Sequence, residues 1–279
     1  SMDGGPAAPS YLRMLRKIEV SQPGFLDSVD MFVGTSDGAW AALFLASRPK
    51  DMPALAMLDA AIQFNQDVAN KITPGFFGVL RLMSGLASAT DNAAVEAYLT
   101  EAFGMGANGE PIVLGELNRD VVLVSFRVRS RSAKPGARFY HNLARGQDMG
   151  GDNGWRYNDM ALSNLGIAAA EVALRSGSLP IMMPIRDGFV DGGLFANNPA
   201  MCGLAQLLQF GKSRGVSGPE DVVMLSLGAD QISTGGAIAN SMFFKSLNVS
   251  WGWVQWMMMP WAPMLLMETM MSASGRGVA

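Results

Sequence analysis

A chain of 279 residues that is 49% hydrophobic and only 16% charged can bury a sizeable core, which excludes a disordered protein. Its net charge of −3 comes with no basic cluster or stripe, so nucleic acid is not expected as a partner. One cysteine, Cys202, and one histidine, His141, exclude an intramolecular disulfide and a histidine-rich metal centre.

In chain order, Gly4, Gly5 and Pro6 predict a tight turn, followed by a helix over residues 9–19 with Leu12, Leu15 and Ile18 on one face. The apolar run 29–33, ending at Gly34, reads as a buried strand, and residues 39–47 as a helix that starts directly after it. Residues 51–103 are helical in pattern throughout. Leu55, Leu58 and Ile62 recur at helical spacing, and a later helix is capped by Asp91 or Asn92 and ended by Gly104. Residues 120–130 read as a central strand, 146–154 as a glycine-rich loop and 158–175 as a helix.

A strand and turn at 188–194, a helix at 198–210 and a strand at 221–229 complete the pattern. Cys202 falls within that last helix, where it reads as a small buried hydrophobe. Strands alternate with helices, which predicts an α/β fold with a mainly parallel central sheet sandwiched between helices. No linker divides the chain, so residues 1–279 are expected to form a single domain. Both ends read as incomplete: Asp3-Gly4-Gly5 looks like the turn after a strand with nothing upstream, and residues 270–279 carry no terminal element.

The sharpest motif is Gly34-Thr35-Ser36-Asp37-Gly38, a G-x-S-x-G between an apolar strand and an apolar helix. The glycines permit a sharp strand-to-helix turn that exposes a strained serine at a helix N-terminus, where backbone N–H groups favour a developing oxyanion. A hydroxyl nucleophile needs a base. The α/β-hydrolase order of serine, acid, histidine requires several strands before the serine, whereas 35 residues precede Ser36 and His141 has no acidic partner placed to follow that order. The alternative base is a carboxylate in a glycine-lined turn, and Asp191-Gly192-Gly193, followed by Asn197-Asn198-Pro199, offers one. Taken alone, Asp-Gly-Gly is usually just a turn.

Together these blocks resemble the patatin-like phospholipase family. Asp3-Gly4-Gly5 is similar to its glycine-rich oxyanion loop, Gly34–Gly38 to its nucleophile elbow, and Asp191-Gly192-Gly193 with Asn197-Asn198-Pro199 to its aspartate block. Residues 176–184 resemble the stretch that precedes that block, with Met182 and Met183 replacing aromatics. The resemblance implies a patatin-type domain with Ser36 as nucleophile and Asp191 as base. Gly4 and Gly5, joined by Asp37, would supply the oxyanion N–H groups. It also implies a lipid or ester substrate, while the residues present call for no cofactor and no metal, since no acidic cluster that would hold calcium stands out. Pro6 departs from the family pattern, since it stands where a third glycine is usual and has no N–H to donate.

Two rival readings stay open at this level: acyl transfer by the same dyad, and a catalytically weak lipid-binding module. Residues 251–271 are rich in Trp and Met, but Gln255, Pro260, Pro263 and Glu268 argue against a membrane span. They read either as a core-packing segment or as an apolar lip in peripheral contact with a membrane. No signal peptide is visible, so a cytoplasmic or membrane-peripheral location is expected, with secretion left open.

Overall fold

The computed structural model describes residues 1–5, 8–73, 92–128, 135–144 and 164–228, with scattered positions between 74 and 91. Pro6, the loop at 146–154, the first part of the helix expected at 158–175 and the apolar tail at 251–271 lie outside the described residues.

Helix α1 spans Ala8–Ser21 and buries Tyr11, Leu12 and Leu15, while Ile18 is half-buried. The chain then turns into strand β1, Met31–Thr35, two residues later than the apolar run suggested. Helix α2, Asp37–Ser47, starts one residue after Ser36. It is apolar on every side, and every residue from Gly38 to Ser47 is buried, the signature of a central helix.

The helical stretch expected at 51–103 resolves into α3, Ala54–Ile72, and α4, Ala93–Phe103. Asn92 stands at the N-cap of α4 without a side-chain cap bond, and Gly104, at φ 93°, ends it. The buried face of α3 is Met57, Leu58, Ala61, Phe64 and Val68, so Leu55 faces solvent, contrary to the expected stripe.

Strand β2, Asp120–Arg127, is the spine of the sheet. It pairs parallel with β1 and antiparallel with β3, Gly136–His141, and with β4, Phe189–Asp191. The described sheet is therefore mixed, and the expected parallel majority is not seen among these strands. The reason lies in the connection: only eight residues, 128–135, separate β2 from β3. Parallel neighbours need a crossover of a dozen residues or more.

Met2 adds to the β1 side through parallel bridges to both Gly34 and Leu227. Leu227 is the only paired position of the strand expected at 221–229 within its described part; Val223 is fully exposed, so this segment lacks the burial that holds a strand in a sheet.

Side chains alternate across the sheet as the period of two requires. Phe32, Val121 and Leu123 join a core with α1 to α4 and α5, Ala169–Gly177. Val33 and Val122 face the other way, onto Leu143 and Leu207 of α7, Ala200–Phe210. Helices thus cover both faces, as expected of an α/β sandwich. Helix α5 begins at Ala169, later than the sequence pattern suggested. Cys202 on α7 is half-buried and free, so it is less enclosed than its apolar neighbours implied.

Candidate active site

The sheet register builds the site. Strand β1 runs parallel to β2 and stops with Thr35 opposite Val124. Strand β4 runs the other way along the same side of β2 and stops with Asp191 opposite Ser125. The C-terminal ends of two strands far apart in sequence therefore meet head to head. Ser36 leaves one of them and Asp191 closes the other.

At that junction Ser36 Oγ–H donates to Asp191 Oδ2 at 2.6 Å. Asp191 is 1% exposed, and its other oxygen, Oδ1, accepts from the Gly193 N–H at 2.7 Å. Burial pushes the Asp191 carboxyl up to about 6, against the opposing pull of the Ser36 and Gly193 hydrogen bonds. Asp37, half-buried on the first turn of α2, is pushed up to about 7 by desolvation and by the charge of Asp191.

Ser36 itself takes φ 54° and ψ −125°, a conformation that L-residues rarely adopt and that costs roughly 1–3 kcal/mol. The surroundings impose it. A Cβ on Gly34 would lie 2.3 Å from Gly38 O, and a Cβ on Gly38 would lie 2.2 Å from Met2 O. Both glycines of the pentapeptide are thus required by close backbone approach. Thr35 Oγ1–H donates to Ala196 O at 2.8 Å, tying the elbow to α6, Gly193–Ala196, which directly follows Asp191.

The glycine loop lies against the same junction, with Gly4 close enough that an added Cβ would stand 3.0 Å from Ser36 Cβ and 2.6 Å from Asn197 Oδ1. Gly4 N–H donates to Asn197 O and Asn197 Nδ2–H returns a bond to Gly4 O, both at 3.0 Å. The single proton of the Gly4 amide is therefore directed at Asn197, not at an incoming oxyanion, contrary to the donor role expected for it. Gly5 follows at φ 123°, backbone that favours glycine. The Asp37 N–H heads α2, within the first turn whose N–H groups lack intrahelical acceptors.

Ser176 was not singled out as an individual residue by its sequence, although the stretch it opens was. Its Oγ accepts the Ser36 N–H at 3.0 Å and donates to Val124 O at 2.6 Å. The signal that could have found it is a serine buried between an apolar helix and the aspartate block.

His141 is the last residue of β3, on the side of β2 opposite β1 and β4. It is 3% exposed, its ring lies 4.5 Å from that of Phe210, and Nδ1 has no hydrogen-bond partner among the described residues. Burial, with the Arg138 and Arg214 charges, lowers it to about 4, so the ring is neutral at pH 7. Replacing it by alanine is expected to leave turnover per folded molecule within about tenfold while lowering the melting temperature, as large-to-small core changes do. A folded His141→Ala protein as inactive as one lacking Ser36 would restore a triad.

Among the described residues there is no group of three or more metal-ligating side chains, and no helix long and apolar enough to cross a membrane. A comparison with curated proteins finds no match. Residues 2–202 match the family model described as Patatin-like phospholipase, a span that holds the glycine loop, the serine elbow and the aspartate turn. A match over more than half of its length means that the chain belongs to the patatin-like phospholipase family.

Proposed function

We propose that the protein hydrolyses carboxylic esters of lipids through an acyl-serine intermediate on a Ser36–Asp191 dyad. The observation that carries this reading is the 2.6 Å hydrogen bond from the Ser36 hydroxyl to a buried carboxylate. A carboxylate in that position takes the hydroxyl proton as Oγ attacks the ester carbonyl carbon. The tetrahedral oxyanion is met by the N–H groups of Gly5 and Asp37, and each such donor is typically worth about 3 kcal/mol of barrier. Collapse breaks the ester C–O bond, and Asp191 hands its proton to the departing alkoxide. Water then gives a proton to Asp191 as its oxygen attacks the acyl carbon. Collapse breaks the bond to Ser36 Oγ, which takes that proton back from Asp191 as the carboxylic acid leaves. The side chains of this cycle need no metal or organic cofactor. Ile185 and Phe195, exposed on either side of the aspartate block, support access from a lipid surface.

Two measurements test the reading. A fluorophosphonate probe is expected to label Ser36 and no other serine, and a series of p-nitrophenyl esters is expected to be cleaved alongside a phospholipid. Absence of both labelling and cleavage would leave a binding module. Formation of a new ester when an alcohol is added would favour acyl transfer over hydrolysis.

The pH dependence follows from Asp191. The base works only when ionised, so the turnover number is expected to rise with pH through a single limb near pH 6 and then level off. Stability runs the other way. A carboxyl held at about 6 when folded and near its ordinary value when unfolded stabilises fully below about pH 4. That contribution is lost as pH rises to about 6 for Asp191 and about 7 for Asp37. Rate profiles of the wild type and of His141→Ala are expected to share the acid limb, and its loss in the variant would contradict a carboxylate base.

A further inference from the structure

We infer that Ser176 is the positioning residue of the dyad: its hydroxyl holds the main chain of the nucleophile while its carbonyl holds the main chain of Gly192, next to the base. The inference rests on the reading of Ser36 and Asp191 as the catalytic pair. Three hydrogen bonds carry it. Ser176 Oγ–H donates to Val124 O at 2.6 Å, Ser36 N–H donates to Ser176 Oγ at 3.0 Å, and Gly192 N–H donates to Ser176 O at 3.0 Å. One fully buried residue at the end of α5 therefore touches β2, the serine elbow and the aspartate turn together.

The polarity of this arrangement is fixed. A carbonyl only accepts, so the Ser176 hydroxyl proton goes to Val124, and a lone pair is left facing the Ser36 N–H. Val124 is also the residue opposite which β1 ends. A Cβ on Gly192 would stand 2.2 Å from the same Val124 oxygen, so the aspartate turn is pressed onto that carbonyl as well. Asp191 N–H donates to Ser178 O at 2.9 Å, and Ser178 Oγ–H donates to Leu174 O at 2.7 Å, so the following turn of the chain braces the base.

The consequence concerns Ser36. Its backbone sits where L-residues are strained, and its buried N–H finds its acceptor on a side chain and not on the main chain. Deleting that acceptor leaves the N–H unsatisfied and frees the elbow to relax away from Asp191. Because Ser176 meets Ser36 only through the backbone N–H, and because Ser176 carries no titrating group, its effect acts through geometry. A displacement of about 1 Å at a reacting centre is enough to lower a rate on the order of 100-fold.

The experiment is a kinetic comparison of the wild type, Ser176→Ala and Ser176→Cys, each titrated to completion with a fluorophosphonate so that turnover is expressed per reactive Ser36. Ser176→Ala is expected to lower the per-site turnover number by about 30-fold or more with the Michaelis constant within about twofold, and to slow fluorophosphonate labelling by a similar factor. Ser176→Cys fills the same space with a weaker acceptor and is expected to fall between the two. A purely structural role would reduce the number of titratable sites and leave the turnover of each unchanged, and that result overturns the inference. So does a folded Ser176→Ala protein within threefold of the wild-type turnover per site. Should Ser176→Ala fail to fold, Ser176→Cys decides: wild-type turnover per site in that variant refutes positioning, and a loss of about tenfold or more supports it. Ser36→Ala separates the two levels. If that variant keeps its activity the dyad itself is wrong, whereas a dead Ser36→Ala beside a fully active Ser176→Ala removes only the role of Ser176.

Discussion

Ser36→Ala is expected to lower ester hydrolysis on the order of 10⁴-fold or more while leaving the protein folded. The substitution removes the hydroxyl bonded to the Asp191 carboxylate and adds no bulk at a position that is 8% exposed. Catalysis that remains would come from water attacking within an intact oxyanion site, which typically keeps only a small part of the acceleration. Retention of more than a few per cent of wild-type turnover by a folded Ser36→Ala protein would remove Ser36 from the mechanism. The backbone offers a companion measurement. Alanine at φ 54° and ψ −125° keeps the strain, whereas glycine adopts that region without a Cβ penalty. Ser36→Gly is therefore expected to be equally inactive but to unfold at a higher temperature than Ser36→Ala, by roughly 1 kcal/mol of stability. Equal melting temperatures would mean that the elbow is not strained in solution.

Asp191→Asn is expected to be nearly as damaging, with turnover down on the order of 10³-fold, because the amide oxygen can keep the Gly193 N–H bond while the NH2 that faces Ser36 Oγ can only donate and cannot take a proton. Its stability should move in the opposite direction. At pH 7 the wild type holds an ionised carboxylate in a site that favours the protonated form, and the amide has no such charge to bury. The variant is thus expected to be more stable than the wild type at pH 7 and to lose that advantage near pH 4, where the wild-type carboxyl is protonated as well. Thermal unfolding at the two pH values checks this alongside the rate. A folded Asp191→Asn enzyme with a tenth or more of wild-type turnover would show that another group serves as base.

Much of the site was legible because its requirements are local. Gly34 and Gly38 flank a serine that must turn sharply from strand to helix, and the sequence displays that need within five residues. Gly192 next to Asp191 is required by a backbone contact, and the pattern Asp-Gly-Gly signals it. The meeting of the two blocks is another matter. It depends on Thr35 and Asp191 reaching neighbouring residues of β2, a register that no short motif encodes. Strand β3 carries no clear apolar run in the sequence, since Gly136–His141 mixes polar and apolar residues and is only partly buried. Gly4 illustrates a third limit. Its glycine identity is explained equally by an oxyanion donor and by the need to lie against Ser36 without a Cβ, and only its bond to Asn197 O separates them. Ser176 is one serine among many in the sequence, and its place between two strand ends is a property of the assembled sheet.

The head-to-head ending of β1 and β4 along β2 also sets when the proposed dyad can first form. Ser36 and Asp191 are 155 residues apart in the chain, and the Ser36 amide reaches across 140 residues to Ser176. Contacts of such long sequence separation form late in folding, after the local helices, because the intervening chain must first be closed into a loop. The proposed nucleophile and its proposed base are thus supplied by opposite ends of one folding event. A nascent chain that stops short of the aspartate turn carries a serine elbow with no base to activate it. In refolding experiments, helical signal is expected to return before esterase activity, with the interval between them reporting the docking of β4 onto β2.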